Sequence, residues 1–588
     1  MSVQSTDLCV ELSTILVKCL TSGRTDDALS AIYNAKYDQC LKDRSLDIIP
    51  SISKFLIQET IDNSPEVFDC CETLLKEIAQ KANPEEALLE FLEQAENLDD
   101  DVKFLALLKP LQIVLFKLPN RRGQSLEWCL HMIRFHVTSL PVPKSHRLEG
   151  EERKLLDSDP CICRITNVYK GVLDFYKPFV NEVSLRQKAE YQKNTQRNML
   201  VCFIFQLLRQ PLAILDLECD GKSSSATRFV AEELLTFLSH LVGDLMIFLE
   251  YAETREMEKS GKNENNFATQ SDDEIPILSV AVLYYLILGE HIQLNEVPCV
   301  YSPLYIFQRS LYLVVVLLKH LEELVVRKGL LLANAILAML SEGSVPYTLL
   351  ESPVHKEFVE SLSKVMIYCD VENFRKYAVP LLRSYLFKFD VKGQYLLMSN
   401  LPAVVNHAGI MGYLIMLLKD MIINTLDSDL ISPFFTGKAL YDLISEYCSL
   451  SHGVETDLIE NADQIISALN LIRFLSLRDQ KNKTGMWDYV GVLEESMLEP
   501  LREGIKLSRA HYKLKLRDLE EEKRNAVLND KGRISKSDVT ITVGGQQLPN
   551  LPYENKVAVI MSALNAFDLM ESLLSRVNEC IDSGPLKS

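Results

Sequence analysis

The feature that most constrains this chain is an apolar repeat close to 3.6 residues, restarted at short intervals by helix-start signals. Leu8, Leu12, Ile15, Leu16, Cys19 and Leu20 fall on one face of a helix, the i, i+4, i+7, i+8 spacing of an amphipathic segment. Val67, Cys71, Leu74, Leu75 and Ile78 repeat the pattern, as do Ile165, Val168, Tyr169, Val172, Leu173, Tyr176 and Val180. Ser64–Pro65 and Asn83–Pro84 each set a capping side chain before a proline. Proline at the first helical position gives up no hydrogen bond, because that N–H has no partner within the helix. The two starts are about twenty residues apart, half the roughly 40-residue period of HEAT and armadillo helix pairs.

The spacing predicts an all-α, HEAT/armadillo-like helical repeat solenoid in two halves, with degenerate repeats that bury their apolar faces against their neighbours. A chain of 588 residues is too long for one compact core. Glu253 to Glu274 is polar and reads as a mobile loop, so the expected organisation is a helical domain over 1–255, a polar loop over 256–274 and a second helical domain over 275–588. Ser184 to Asn198 and Asp220 to Thr227 read as shorter polar connections. Near the end, Val539, Ile541 and Val543 alternate with threonines before Gly544–Gly545. That pattern predicts a small β-hairpin near 539–548. A last helix is expected over Lys556 to Ile581.

Charge narrows the partners. The net charge of −19 and a pI near 5.2 work against nucleic acid, whose phosphates the surface would repel. The uninterrupted apolar run Leu311 to Leu318 is short of the roughly 20 residues a membrane-spanning helix needs. No membrane insertion is therefore expected. The N-terminus carries Asp7 and Glu11 without a basic leader, so a cytoplasmic location follows as an expectation. In that compartment the 14 cysteines are expected as reduced thiols packed in helices. The close clusters, Cys70–Cys71 and Cys161–Ile162–Cys163, lack a second pair at zinc-ligand spacing.

Motifs of catalysis are missing from the sequence. Gly221–Lys222–Ser223 resembles the end of a phosphate loop, but Asp216 stands where the first glycine belongs. His131 and His136 lie five apart and read as packed or solvated histidines; Glu322–Glu323 and Glu494–Glu495 read as solvated surface. Neither enzymatic activity, cofactor nor metal is expected.

Two C-terminal segments suggest recognition. From Leu501 to about Glu522, one face carries Leu501, Ile505, Tyr512, Leu516 and Leu519, and a quarter turn away lie Arg502, Lys506, Arg509, Lys513 and Arg517. Such a ridge is either a solvated face whose stems cover the core edge or a guide for an acidic partner. From Glu455 to Leu477, the apolar face is Leu458, Ala462, Ile465, Leu469 and Ile472, while Asp463, Ser467, Asn470 and Phe474 line another. An aromatic beside small polar groups suits either an interface or the next helix pair. Lys419 and Asp420 interrupt the apolar helix Met411 to Leu426 and must reach solvent or a partner.

At these residues the chain resembles the glomulin family. The densest match is Val454-Glu-Thr-Asp-Leu-Ile-Glu-Asn-Ala-Asp-Gln-Ile-Ile-Ser-Ala-Leu-Asn-Leu-Ile-Arg-Phe474, followed by Thr484-Gly-Met-Trp487, Lys506-Leu-Ser-Arg-Ala-His-Tyr512, Ile541-Thr-Val-Gly-Gly, Leu548-Pro-Asn-Leu-Pro552 and Ala566-Phe-Asp-Leu-Met-Glu-Ser572. Upstream, Lys109-Pro-Leu-Gln112, Leu140-Pro-Val-Pro143, Lys177-Pro-Phe-Val180 and Ser302-Pro-Leu-Tyr305 also look like the family. The resemblance implies a HEAT-like fold. It also implies a C-terminal domain that binds the RING domain of the RING-box subunit of cullin–RING ubiquitin ligases and covers the site for the ubiquitin-charged conjugating enzyme. It further points to the cullin, FK506-binding immunophilins, the hepatocyte growth factor receptor and vascular smooth-muscle development. No family contact list is carried over; Lys419, Asp463, Ser467, Asn470, Phe474, Lys506, Arg509 and Lys513 are nominated as partner-binding from helix geometry alone. The competing reading is a general HEAT-type adaptor, in transport, assembly or immunophilin association, with no effect on ubiquitin transfer.

Overall fold

The computed structural model describes residues 2–96, 100–118, 122–142, 150–186, 195–217, 225–261, 275–296, 298, 300–405, 407–427, 433–528, 542–543, 546–547 and 553–584. The secondary structure is helix after helix from Ser2–Thr21 to Tyr553–Asp582. Among the described residues one antiparallel strand pair interrupts it, with Thr542 opposite Gln547 and Val543 opposite Gln546. The hairpin expected near 539–548 is met by this pairing at Thr542, Val543, Gln546 and Gln547; the other residues of that segment lie outside the described set.

The expected faces are the buried faces. Leu12, Leu16, Cys19 and Leu20 are buried in the first helix, and Val67, Cys71, Leu74, Leu75 and Ile78 in helix Pro65–Lys81. Both prolines sit at the start of their helices, but the caps differ: Asn83 Oδ1 accepts from Glu85 N at 3.2 Å, whereas the Ser64 side chain makes no capping bond. The apolar run ending at Leu318 forms helix Pro303–Leu318, buried on several sides from Ile306 onward.

Other expectations are corrected. Helix Phe248–Gly261 runs through the start of the segment read as a loop; residues 262–274 lie outside the described set. Likewise helices Pro160–Arg186 and Thr195–Leu207 trim the connection expected over 184–198. The phosphate-loop look-alike at 221–223 lies outside the described residues. Two compact units are present, Met1–Ile336 and Leu337–Ser588, so the division falls near the end of helix Glu323–Ala338.

Cys9 and Cys40 are joined by a disulfide 31 residues apart in sequence, correcting the expectation of free thiols throughout. Helix Asp38–Asp43 folds back onto helix Ser2–Thr21 and brings the two sulfurs together; a face-by-face reading cannot see that return. Cys70 and Cys71 are packed thiols as expected, and burial pushes Cys71 up to about 12, so it stays protonated. Among the described residues no group of histidine, cysteine and acidic side chains could hold a metal ion.

On apolar composition the membrane argument also needs correcting. Helices Ala408–Asp427 and Tyr553–Asp582 are long and apolar enough to cross a bilayer by length and composition, with 56% and 33% of their most apolar windows buried within the protein. Averaged hydropathy tolerates the interruptions that broke up every uninterrupted run. Both helices are packing elements of the second unit: each lies against helix Ala462–Arg478.

One buried group makes this unit acid-sensitive. His355 is 3% exposed, with Nδ1 2.8 Å from the Tyr385 hydroxyl, and burial pushes it down to about 4. In the unfolded chain it takes a proton below about 6.5, while the folded form stays neutral. Its contribution is therefore complete above that pH and is lost as the pH falls from about 6.5 to about 4, by about 3 kcal/mol. Urea midpoints of the second unit measured between pH 7 and 4 should fall along this limb, and His355→Gln should flatten it relative to the unaltered chain.

Candidate functional site

Five of the eight nominated residues come together along one seam, between helices Ala408–Asp427 and Ala462–Arg478. The second helix starts at Ala462, later than the expected Glu455. Gly453 adopts a positive φ of 53°, and the Asp457 carboxylate accepts from Ile459 N at 2.9 Å and Glu460 N at 3.0 Å. This local turn competes with the helix. From Ala462 the 3.6 repeat buries Ile465, Ala468, Leu469, Leu471, Ile472 and Leu475. The same repeat leaves Asp463, Ser467, Asn470 and Phe474 along an adjoining stripe, with Asp463 and Asn470 exposed and Ser467 and Phe474 half-buried.

Gly412 sets the spacing of the seam. A Cβ there would stand 2.8 Å from the Asp463 carbonyl oxygen and 3.1 Å from Ser467 Oγ, so only a glycine lets the two backbones approach this closely. Seven residues further on, Lys419 Nζ lies 5.0 Å from the centre of the Phe474 ring. Gly412 against Asp463 and Lys419 over Phe474 fix the two helices as running the same way. The two charges that interrupt this apolar helix are thus accounted for: Lys419 rests on an aromatic face, and Asp420 pairs with Arg383.

Around Phe474 the surface is apolar with a polar border. Met416, on the same side of its helix as Gly412 and Lys419 by the helical repeat, is exposed, and so is Leu477, one turn beyond Phe474. Neither methionine nor leucine was nominated from the sequence. Both carry the same helical phase as nominated neighbours, and that phase is the signal that could have found them. An apolar centre ringed by Lys419, Ser467 and Asn470 has the arrangement of a protein interface, an apolar middle inside a polar border.

The other three nominated residues lie elsewhere, on helix Glu499–Leu528, which packs against helix Tyr553–Asp582. Arg509 turns inward. It donates to Asp568 at 2.8 Å and to Glu571 at 2.7 Å on the last helix, with its side chain 19% exposed. Tyr512 meets Phe567 edge-on nearby. Arg509 is therefore part of a brace between the last two long helices. Lys506 is exposed and pairs with Glu503 at 2.9 Å one turn earlier, while Lys513 is exposed. The basic ridge thus splits into inward Arg509, half-buried Arg502 and solvent-facing Lys506, Lys513 and Arg517, a distinction that depends on where the partner helix lies.

Comparison with known proteins bears on the whole chain. A family described as "Uncharacterised protein family, YAP/Alf4/glomulin" matches residues 3–560. The Homo sapiens protein named glomulin is 31% identical over 575 residues, covering 96% of this chain and 92% of its own. Glomulin of Mus musculus is 29% identical over 573 residues, with the same coverage of 96% and 92%. Among solved structures, a chain from "Crystal structure of Kap121p bound to Ste12p" is 11% identical with a TM-score of 0.20, over 96% of this chain and 61% of that one, too low a score to carry an argument.

Proposed function

The chain belongs to the YAP/Alf4/glomulin family, and from that membership we propose that it is a non-catalytic inhibitor of cullin–RING ubiquitin ligases acting in the cytoplasm. In this reading the second unit binds the RING domain of the RING-box subunit, beside its cullin, and denies the conjugating enzyme its docking site. The observation that carries the surface assignment is the seam, where Phe474 is stacked under Lys419 at 5.0 Å between exposed Met416 and Leu477. A RING domain recruits its conjugating enzyme through a small apolar patch, and an apolar centre with a polar border is the complement such a patch requires. Masking needs only a larger and better fitted contact than the competitor makes, held on elements that lose little freedom on binding. Immunophilins of the FK506-binding class and the hepatocyte growth factor receptor are further partners of this reading, with no surface assigned to them.

The test is a titration calorimetry comparison with a purified RING-box–cullin pair. Phe474→Ala should weaken binding by about 10- to 100-fold, the range of a central aromatic anchor, and Lys419→Ala by less. Unchanged affinity in both variants would remove the seam from the interface.

A further inference from the structure

Helix Glu499–Leu528 is apolar on two opposite sides, and only one of them is used within the unit. Leu501, Ile505 and Leu519 are buried, whereas Leu507 is 62% exposed and Leu514 56% exposed. Seven residues at a rise of about 1.5 Å place these two leucines about 10 Å apart on one stripe. Ala510, also exposed, lies between them by the helical repeat. Scattered exposed leucines are ordinary, but here cations stand beside the stripe. Lys506, Lys513 and Arg517 are all exposed. Lys506 has Glu503 as a neighbour, with both side chains more than half exposed, so that pair holds it weakly. No ion pair engages Lys513 or Arg517 among the described residues. The one ridge cation consumed internally is Arg509.

We propose that this outward side is a second docking surface on the same ligase, and that it takes an acidic amphipathic helix. The proposal rests on the ligase reading above. Charge complementarity selects this occupant. In a chain of net charge −19, a stripe of exposed cations beside two leucines is a local exception to a surface that otherwise repels anions. A long polyanion, nucleic acid or an anionic bilayer, would have to lie across the acidic surroundings as well. A helix of two or three turns covers the stripe alone, setting two apolar side chains on Leu507 and Leu514 and its carboxylates on Lys506, Lys513 and Arg517. Both surfaces belong to one unit, because helix Tyr553–Asp582 packs against helix Ala462–Arg478 and helix Glu499–Leu528 alike. One assembly engaging both would gain from the second attachment being intramolecular.

The experiment uses the full chain and a reconstituted neddylated cullin–RING ligase on a biosensor, with two double variants, Leu507→Ser with Leu514→Ser and Lys513→Glu with Arg517→Glu. All four positions are exposed, and unchanged melting temperatures confirm that the fold is kept. The leucine pair is expected to dissociate about 10-fold faster. The charge pair is expected to associate about 10-fold more slowly at low salt and to converge on the unaltered chain as salt screens the field. Zero-length carbodiimide coupling should join Lys513 to an aspartate or glutamate of a ligase helix. Unaltered ligase binding with unchanged constants in both variants overturns this proposal and leaves the ligase reading standing. No ligase binding by the unaltered chain overturns both. Binding to phosphatidylserine vesicles that the variants lose, with ligase constants unchanged, also overturns it and assigns the stripe to a membrane surface.

Discussion

Lys328→Met is expected to destabilise the first unit by about 3–5 kcal/mol, the loss typical of breaking a buried charge network. Lys328 is 3% exposed. Its ammonium donates to the carbonyls of Ala213 at 2.5 Å, Leu215 at 2.8 Å and Leu212 at 3.3 Å. Those carbonyls belong to a tight turn around Leu212–Ile214 that cannot satisfy all of them itself. An ammonium has three protons, and each finds one oxygen. Methionine keeps the length and fills the space but donates nothing, so the Ala213 and Leu215 carbonyls lose their partner at about 1–3 kcal/mol each, while the Leu212 carbonyl keeps the Leu215 N–H at 3.1 Å. Hydrogen exchange read in the first unit, together with urea unfolding, measures the effect. A change under about 1 kcal/mol would contradict this assignment of the lysine.

In the second unit the corresponding keystone is Asp479, and Asp479→Ala should cost about 3 kcal/mol. Its carboxylate accepts from Lys483 N at 2.7 Å, Thr484 N at 2.8 Å and Thr484 Oγ1 at 2.5 Å, and its carbonyl accepts from the Trp487 indole at 2.7 Å. The turn that follows needs Gly485, at a φ of 75°, with its Cβ position only 3.1 Å from Gly437 Cα. The carbonyl of Thr484 accepts from Gly437 N at 2.6 Å, tying the turn to helix Gly437–Tyr447. On the far side, Gly584 lies against the buried Trp487 ring, where a Cβ would stand 2.1 Å away. The Thr484-Gly-Met-Trp487 string, met first as a family motif, is therefore a clasp joining three helix ends. Asp479→Asn, which keeps the shape and part of the acceptor set, should lose less. The chain has two tryptophans, so in a Trp128→Phe background the emission of Trp487 reports the clasp. Asp479→Ala should shift it to the red at lower urea, and coincident curves for the two proteins would contradict the role.

These two keystones mark where the sequence stops being readable. Helical phase is local, so it identified the buried face of helix Ala462–Arg478 and the stripe bearing Ser467 and Phe474 without any knowledge of neighbours. Pairing is not local. Nothing in the spacing of Lys419 and Phe474 says that one rests on the other, and nothing about Arg509 distinguishes it from Lys513 until Asp568 and Glu571 arrive from the last helix. The same limit hid the Cys9–Cys40 bond, which depends on a short helix turning back on the first. It also explains the over-long helix drawn from Glu455: apolar phase continues through Leu458, while the turn made by Asp457 is a competition between side chain and backbone that hydrophobic spacing does not register. Lys328 was unreadable for a further reason, since a lysine in an amphipathic stretch is ordinarily solvated, and only the geometry of the Leu212–Ile214 turn draws it inside.

The central claim is masking, and the measurement that meets it most directly is ubiquitin transfer by a reconstituted neddylated cullin–RING ligase with this protein titrated in at several concentrations of conjugating enzyme. Masking predicts inhibition that saturates at about one equivalent per RING-box subunit and is relieved as the conjugating enzyme is raised, the signature of two proteins sharing one site. Full activity in a large excess of this protein would contradict it.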